Sequence, residues 1–277
     1  MLRKNQAYSL FRHLGKLIFF GKYRDSMPMA VFSAYFDASG TKKEHPVLTV
    51  AGFVARVKKW NRFDAEWSAI LAEEKVTSMH MTDFASSQGE FVSWKGQTDR
   101  RREFISRLSK CIHKNTNKGF ASSVLLPDYR EVNVEFMLSE YVGHPYTLCA
   151  RACLGALAVW AKKKKVRTEE MLVAVEQGDE GQGELIRMAA SDPFTVIPLP
   201  KHKARAFQAG DVAAWKIRTL LQNAIYGRVE SEEDAEKIMR SLDPVRVIVH
   251  RNRGYDKAAL RKLCIDKRMP RREINTQ

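Results

Sequence analysis

The chain has 277 residues, 44% of them hydrophobic and 29% charged, enough to bury a full core as one domain rather than several. Its formal net charge is +15, and no apolar run approaches the roughly 20 residues that span a bilayer, so a membrane-spanning protein is not expected. Four cysteines lie inside apolar or helical patterns, which argues against a disulfide scaffold and for reduced core thiols in a cytoplasmic protein. Cys149 and Cys153 are one helical turn apart, but no second Cys or His pair at zinc spacing accompanies them.

The positive charge sits at the ends. Residues 1–28 carry six Lys and Arg against one acid, and residues 246–277 carry ten against three. Such ends attract phosphate backbones without reading base sequence, or serve only solubility. Leu17–Phe20 is too short for a signal sequence. Translation from Met27 or Met29 would make residues 1–28 an optional basic extension ahead of a domain over 29–277. An interfacial basic helix is the other reading of that extension.

Val31 to Phe36 is an apolar, aromatic strand that ends on Asp37 and turns out through Ala38-Ser39-Gly40. Val47 to Ala55 is a second strand, buried on both faces, and the short polar loop between them makes a hairpin. Trp60, Phe63, Trp67, Ile70 and Leu71 recur at helical spacing, as a core stripe. Ser78 to Phe84 reads as extended and brings His80 close to Asp83. The polar loop 85–98, with Phe91 and Trp94, could cover a site, and Asp99 is placed to cap a basic amphipathic helix through Ile112. Gly119 to Leu126 is a third strand, stopped by Pro127; residues 128–144 read as a short helix plus loop.

Pro145 starts a helix whose span Tyr146 to Ala161 is apolar on nearly every side and ends in four lysines that suit its dipole. Met171 to Glu176 is a strand that, like the first, ends on an acid followed by a turn containing Asp179. Two such ends invite the expectation that they are neighbours. A short helix from Glu184, a strand from Phe194 to Leu199 and the basic Lys201-His202-Lys203 follow. The next helix, about Phe207 to Tyr226, carries Asp211 at the edge of its apolar face. An acidic surface helix over Glu230 to Met239, a strand over Val245 to Val249 and a basic helix over Tyr255 to Ile265 complete the chain.

Each polar residue has a plainer reading. Asp37 would close a turn, Asp211 would complement a helix dipole, and His80 would be a satisfied residue beside the core. Together, however, Asp37, Glu176, Asp179 and Asp211 form an oxygen-ligand set of the kind that holds magnesium or manganese. Two such ions about 4 Å apart can hold the attacking and leaving oxygens of a phosphodiester.

These residues bring a family into view. Asp37-Ala38-Ser39-Gly40, His80-Met81-Thr82-Asp83-Phe84, Val175-Glu176-Gln177-Gly178-Asp179 and Phe207-Gln208-Ala209-Gly210-Asp211, in this order, resemble the bacterial and phage family known as domain of unknown function 3800, from about Met29 to Ile265. The resemblance implies an α/β, ribonuclease-H-like fold: one domain with a mixed five-stranded sheet flanked by helices, and helical insertions. It also implies a metal-dependent nuclease with Asp37, Glu176 and Asp211 as the acids and Asp179 as a supporting ligand; His80, beside Asp83, is a further candidate catalytic residue from its place in the sequence. Ala38 stands where the family has a second acid, Ala209-Gly210 where it has Leu-Ala, and the buried helix from Tyr146 has no acid of its own.

The leading expectation is therefore a cytoplasmic nuclease for RNA or DNA, using carboxylate-bound magnesium or manganese, with nucleic acid held by the basic termini. The exposed termini could also pair two chains. The rival is a nucleic-acid-binding or interaction module whose acid cluster is degraded; a phosphohydrolase for small nucleotides is a third reading.

Overall fold

The strand that carries Asp37 lies inside a mixed sheet of six strands flanked by helices on both faces, in the order β5-β4-β1-β2-β3-β6. The strands are β1 (Phe32–Ser39), β2 (Val47–Arg56), β3 (Lys118–Leu125), β4 (Met171–Glu176), β5 (Thr195–Leu199) and β6 (Val249–Tyr255). The computed structural model describes residues 32–41, 44–226 and 249–272. The expected hairpin is present: β1, β2 and β3 form an antiparallel meander. β4 runs parallel to β1, β5 parallel to β4, and β6 parallel to β3 on the far edge.

The near-continuous apolar runs of β1 and β2 follow from this placement, because a central strand covered on both sides has no solvent face. Phe32, Ala34 and Phe36 point to one side, where helix α6 (Pro145–Lys163) supplies Cys149, Cys153 and Leu157 and helices α4 (Leu126–Phe136) and α9 (Lys257–Asp266) complete the layer. Tyr35, Ala51 and Phe53 point to the other side, against α1 (Val57–Glu73), α3 (Thr98–Asn115) and α8 (Ala206–Ile225). On that side the expected stripe of α1 is buried throughout; Trp60 Nε1 donates to Ser33 O at 2.9 Å and its ring meets Tyr35 edge-on at 5.2 Å. Burying a side chain of this size contributes roughly 2–3 kcal/mol.

Several expectations are corrected. Residues 78–84 are not a strand: the chain is irregular to His80 and then forms the short helix α2 (Met81–Ser86). Its backbone donors are taken by side chains of α8 rather than by a neighbouring strand, since Met79 N donates to Gln208 Oε1 at 3.0 Å and Met81 N to Asp211 Oδ2 at 3.0 Å. Phe91 and Trp94 do not cover a site; they sit on a 3-10 turn and are buried with Phe84 and Phe104 in a cluster of aromatic rings. Asp99 does not cap α3. Gln97 holds the cap position, and Asp99 lies in the first turn beside Arg102 at 3.0 Å.

The third strand stops at Leu125, ahead of Pro127 as expected, and Pro127 stands at the start of α4, where a missing N–H costs nothing. A second short helix, α5 (Leu138–Val142), follows it. The last described strand runs from Val249 to Tyr255 and makes the sheet six strands where five were expected; residues 245–248 of the expected strand lie outside the described residues. Residues 1–31 and the expected helix Glu230 to Met239 lie outside the described residues. All four cysteines are buried, and none is in a disulfide among the described residues. Among the described residues no helix is long and apolar enough to cross a membrane.

Candidate functional site

The parallel register of β1 and β4 pairs Phe36 with Val175 last, so the residues that follow, Asp37 and Glu176, lie side by side where the two strands part. Both continue the strand faces of Tyr35 and Ala174, which pack toward α8. Asp211 comes from the second turn of α8, directly after Gly210. A Cβ at Gly210 would stand 3.0 Å from Asp37 Cβ and 3.1 Å from Ala51 O, so the bare glycine is what lets the helix approach the strand. The smaller residue at this point of the motif thus has a packing reason. Asp37 and Asp211 are almost completely buried, with Glu176 partly open.

A fourth residue, Lys201, joins the three acids. It starts a 3-10 turn two residues past Leu199, and Leu199 is the β5 partner of Glu176. Its Nζ lies 2.8 Å from Asp37 Oδ2, 3.2 Å from Glu176 Oε2 and 3.7 Å from Asp211 Oδ2. Asp37 Oδ1 accepts from Ala38 N at 2.7 Å, whereas Asp37 Oδ2 has no well-directed hydrogen bond even with the ammonium so close.

The electrostatics follow from burial and crowding. Burial, then the hydrogen bond with Glu176, push the Asp37 carboxyl well above the usual carboxylate range; Lys201 opposes this, and the charges of Asp211 and Glu176 add to it. Burial would raise Glu176 too, but the hydrogen bond with Asp37 and the Lys201 ammonium outweigh it and hold Glu176 low. The two carboxyls are thus driven apart, Asp37 upward and Glu176 downward. Burial would lower the Lys201 ammonium, yet Asp37, Asp211 and Glu176 together raise it, so it stays charged.

His80 stands at the rim, with Nδ1 3.2 Å from Asp83 Oδ2 and Nε2 3.9 Å from Asp211 Oδ2. Its approach is fixed by Gln208, whose Oε1 accepts from both Trp67 Nε1 and Met79 N. Asp179 lies on the turn after β4. This turn is tied down by Gln182 Nε2 donating to Glu176 O and by Thr147 Oγ1 donating to Gly181 O. Burial and the charge of Glu176 raise Asp179 to about 7, against the pull of Lys201, and its Oδ2 is buried without a partner. Asp179 forms no ion pair among the described residues.

The structure thus brings together Asp37, Glu176 and Asp211, sets His80 at their edge, and leaves Asp179 coupled to them by charge alone. Sequence reasoning missed Lys201 and Gln208. The signal for Lys201 was a cation just past the strand that neighbours the Glu176 strand. A third omission is Arg218, which is buried and donates to Ser39 Oγ at 3.0 Å and Gln222 Oε1 at 3.1 Å, with His45 Nδ1 also 3.1 Å away. It clamps α8 to the end of β1. Among the described residues, no group of three or more His, Cys, Asp or Glu side chains stands ready to hold a metal ion; the ammonium of Lys201 lies between the three acids.

No family model matches the chain, and no curated protein matches it. Among solved structures, the chain is similar to one in the PCNA–RNase HII complex from Archaeoglobus fulgidus, at 13% identity and a TM-score of 0.36, over 89% of this chain and 95% of that chain.

Proposed function

We propose that this chain is a metal-dependent nuclease of the ribonuclease-H-like kind, a member of the domain of unknown function 3800 family that hydrolyses phosphodiester bonds of RNA or DNA. The observation that carries the reading is the convergence of Asp37, Glu176 and Asp211, from two parallel strand ends and a helix, on one cationic point. The five strands β5-β4-β1-β2-β3 also form the mixed sheet that the resemblance implies.

The residues fit a hard divalent cation. Their donors are carboxylate oxygens, Asp37 Oδ2 is buried without a directed hydrogen bond, and the point they surround already holds a positive charge. Asp37, Glu176 and Asp211 would hold the ion, with Asp179 next to them. Bound there, magnesium or manganese supplies an activated water and offsets charge on the phosphodiester. His80, at the exposed rim beside Asp211, is placed to pass a proton between the site and solvent, and Asp83 orients its ring. The basic termini would hold the phosphate backbone.

The test is cleavage of labelled single-stranded RNA, single-stranded DNA, duplex DNA and an RNA–DNA hybrid with manganese, magnesium or chelator. Metal-dependent cutting in wild type that is lost in Asp37→Asn and Asp211→Asn, with the fold retained, supports the reading. Retained cutting in both variants refutes it. The seat of Lys201 among the acids also suits the rival binding module, which predicts intact substrates and salt-sensitive binding without metal.

A further inference from the structure

Three carboxylates closing on one lysine ammonium is an unusual arrangement for a site meant to hold a divalent ion, because the two cations need the same point. A magnesium or manganese ion sits about 2.1 Å from its oxygen ligands. Lys201 Nζ, at 2.8 and 3.2 Å from Asp37 Oδ2 and Glu176 Oε2 and 3.7 Å from Asp211 Oδ2, fills the space between them. An ion bound to the same oxygens would lie against the ammonium, and two positive charges in so buried a place repel strongly.

We propose that Lys201 is an internal counter-ion that closes the acid site, and that a divalent cation enters only by displacing it. The inference rests on the metal-dependent reading given above and adds its regulation. Three features of the chain fit this role. Without any cation, the buried Asp37 and Asp211 and the adjacent Glu176 would repel one another, and Lys201 removes that cost. The lysine comes from a three-residue 3-10 turn between β5 and α8, not from the body of a strand or helix, so its stem can swing without moving the sheet. Its side chain is 27% exposed, against 1% for Asp37 and 5% for Asp211, which gives the ammonium a way out to solvent that these two acids lack. Once displaced, Lys201 would remain at the mouth of the site with its charge intact, where a phosphate oxygen of the substrate is the natural partner.

The experiment measures manganese binding directly, without reference to cleavage, by calorimetry and by the paramagnetic resonance of free manganese. Lys201→Gln keeps a polar side chain but removes the competing charge. It should bind manganese roughly 10- to 100-fold more tightly than wild type, the equivalent of one charge-assisted hydrogen-bond set no longer having to break. Lys201→Gln combined with Asp37→Asn should lose that gain. Equal or weaker binding by Lys201→Gln overturns the inference and leaves the nuclease reading standing. Absence of binding in both proteins overturns the inference and the metal site together.

A second measurement uses the wild-type chain and so does not depend on how the variant folds. Acetic anhydride labelling followed by peptide mass spectrometry should find Lys201 protected in chelator and several-fold more reactive with saturating manganese. Unchanged protection overturns the displacement.

Discussion

Replacing Gly210 with alanine tests whether close approach of helix and strand builds the site. In an open helix, glycine to alanine gains about 1 kcal/mol, because alanine loses less backbone freedom on folding. At Gly210 the added Cβ would stand 3.0 Å from Asp37 Cβ, 3.1 Å from Ala51 O and 3.2 Å from Asp37 N. These are backbone and Cβ atoms of two central strands, β1 and β2, and none is the free end of a flexible side chain. Overpacking such a place costs about 1–3 kcal/mol, so the net expectation for Gly210→Ala is a loss of up to about 2 kcal/mol.

Gly155, inside α6, is the control: a Cβ there meets nothing within 4 Å, and Gly155→Ala should gain about 1 kcal/mol. Equilibrium urea unfolding of both variants in chelator reads the difference as midpoint shifts of opposite sign. Because the same contact sets how near Asp211 lies to Asp37, Gly210→Ala should also weaken manganese binding, whereas Gly155→Ala should not. Stabilisation of Gly210→Ala by the same amount as the control would refute the claim that the strand and helix are locked at this point.

Other outcomes follow from single groups. Gln208→Leu leaves Trp67 Nε1 and Met79 N without their shared acceptor, a loss of about 1–3 kcal/mol for each buried donor. The same change should loosen the segment carrying His80, seen as faster amide exchange at Met79 and Met81; wild-type exchange there would refute the anchoring role. Asp179 is raised to about 7 in the fold and returns to the ordinary carboxylate range on unfolding. The folded chain thus keeps a proton that the unfolded chain releases between about pH 4 and 7, and wild-type stability falls as pH rises through that window. In chelator, Asp179→Asn should therefore match wild type near pH 4 and exceed it at pH 8 by at most about 4 kcal/mol, worked from a shift of about three units; parallel pH profiles would refute this. Burial pushes the Cys111 and Cys149 thiols up to about 12, so neither should react with iodoacetamide at pH 8 until the protein is unfolded.

Much of this protein was legible in the order of its side chains. Apolar runs ending on Asp37 and Glu176, the stripe of Trp60, Phe63 and Trp67, and the apolar helix after Pro145 are local patterns, and burial acts on them through a fixed period of two or of 3.6 residues. Where local pattern and tertiary demand differ, the pattern misleads. Residues 78–84 look extended, but the N–H groups of Met79 and Met81 are satisfied by Gln208 and Asp211 from more than a hundred residues away. Phe91 and Trp94 look like loop residues, but they complete an aromatic cluster around Phe84 and Phe104. The site divides in the same way. Its acids could be named from the sequence because each sits in a local pattern, two after apolar strand runs and one at the edge of a helix's apolar face, whereas Lys201 could not. Its place among them depends on β5 pairing with β4 and β4 with β1, and strand order is decided by how whole faces pack, which no stretch of sequence carries by itself.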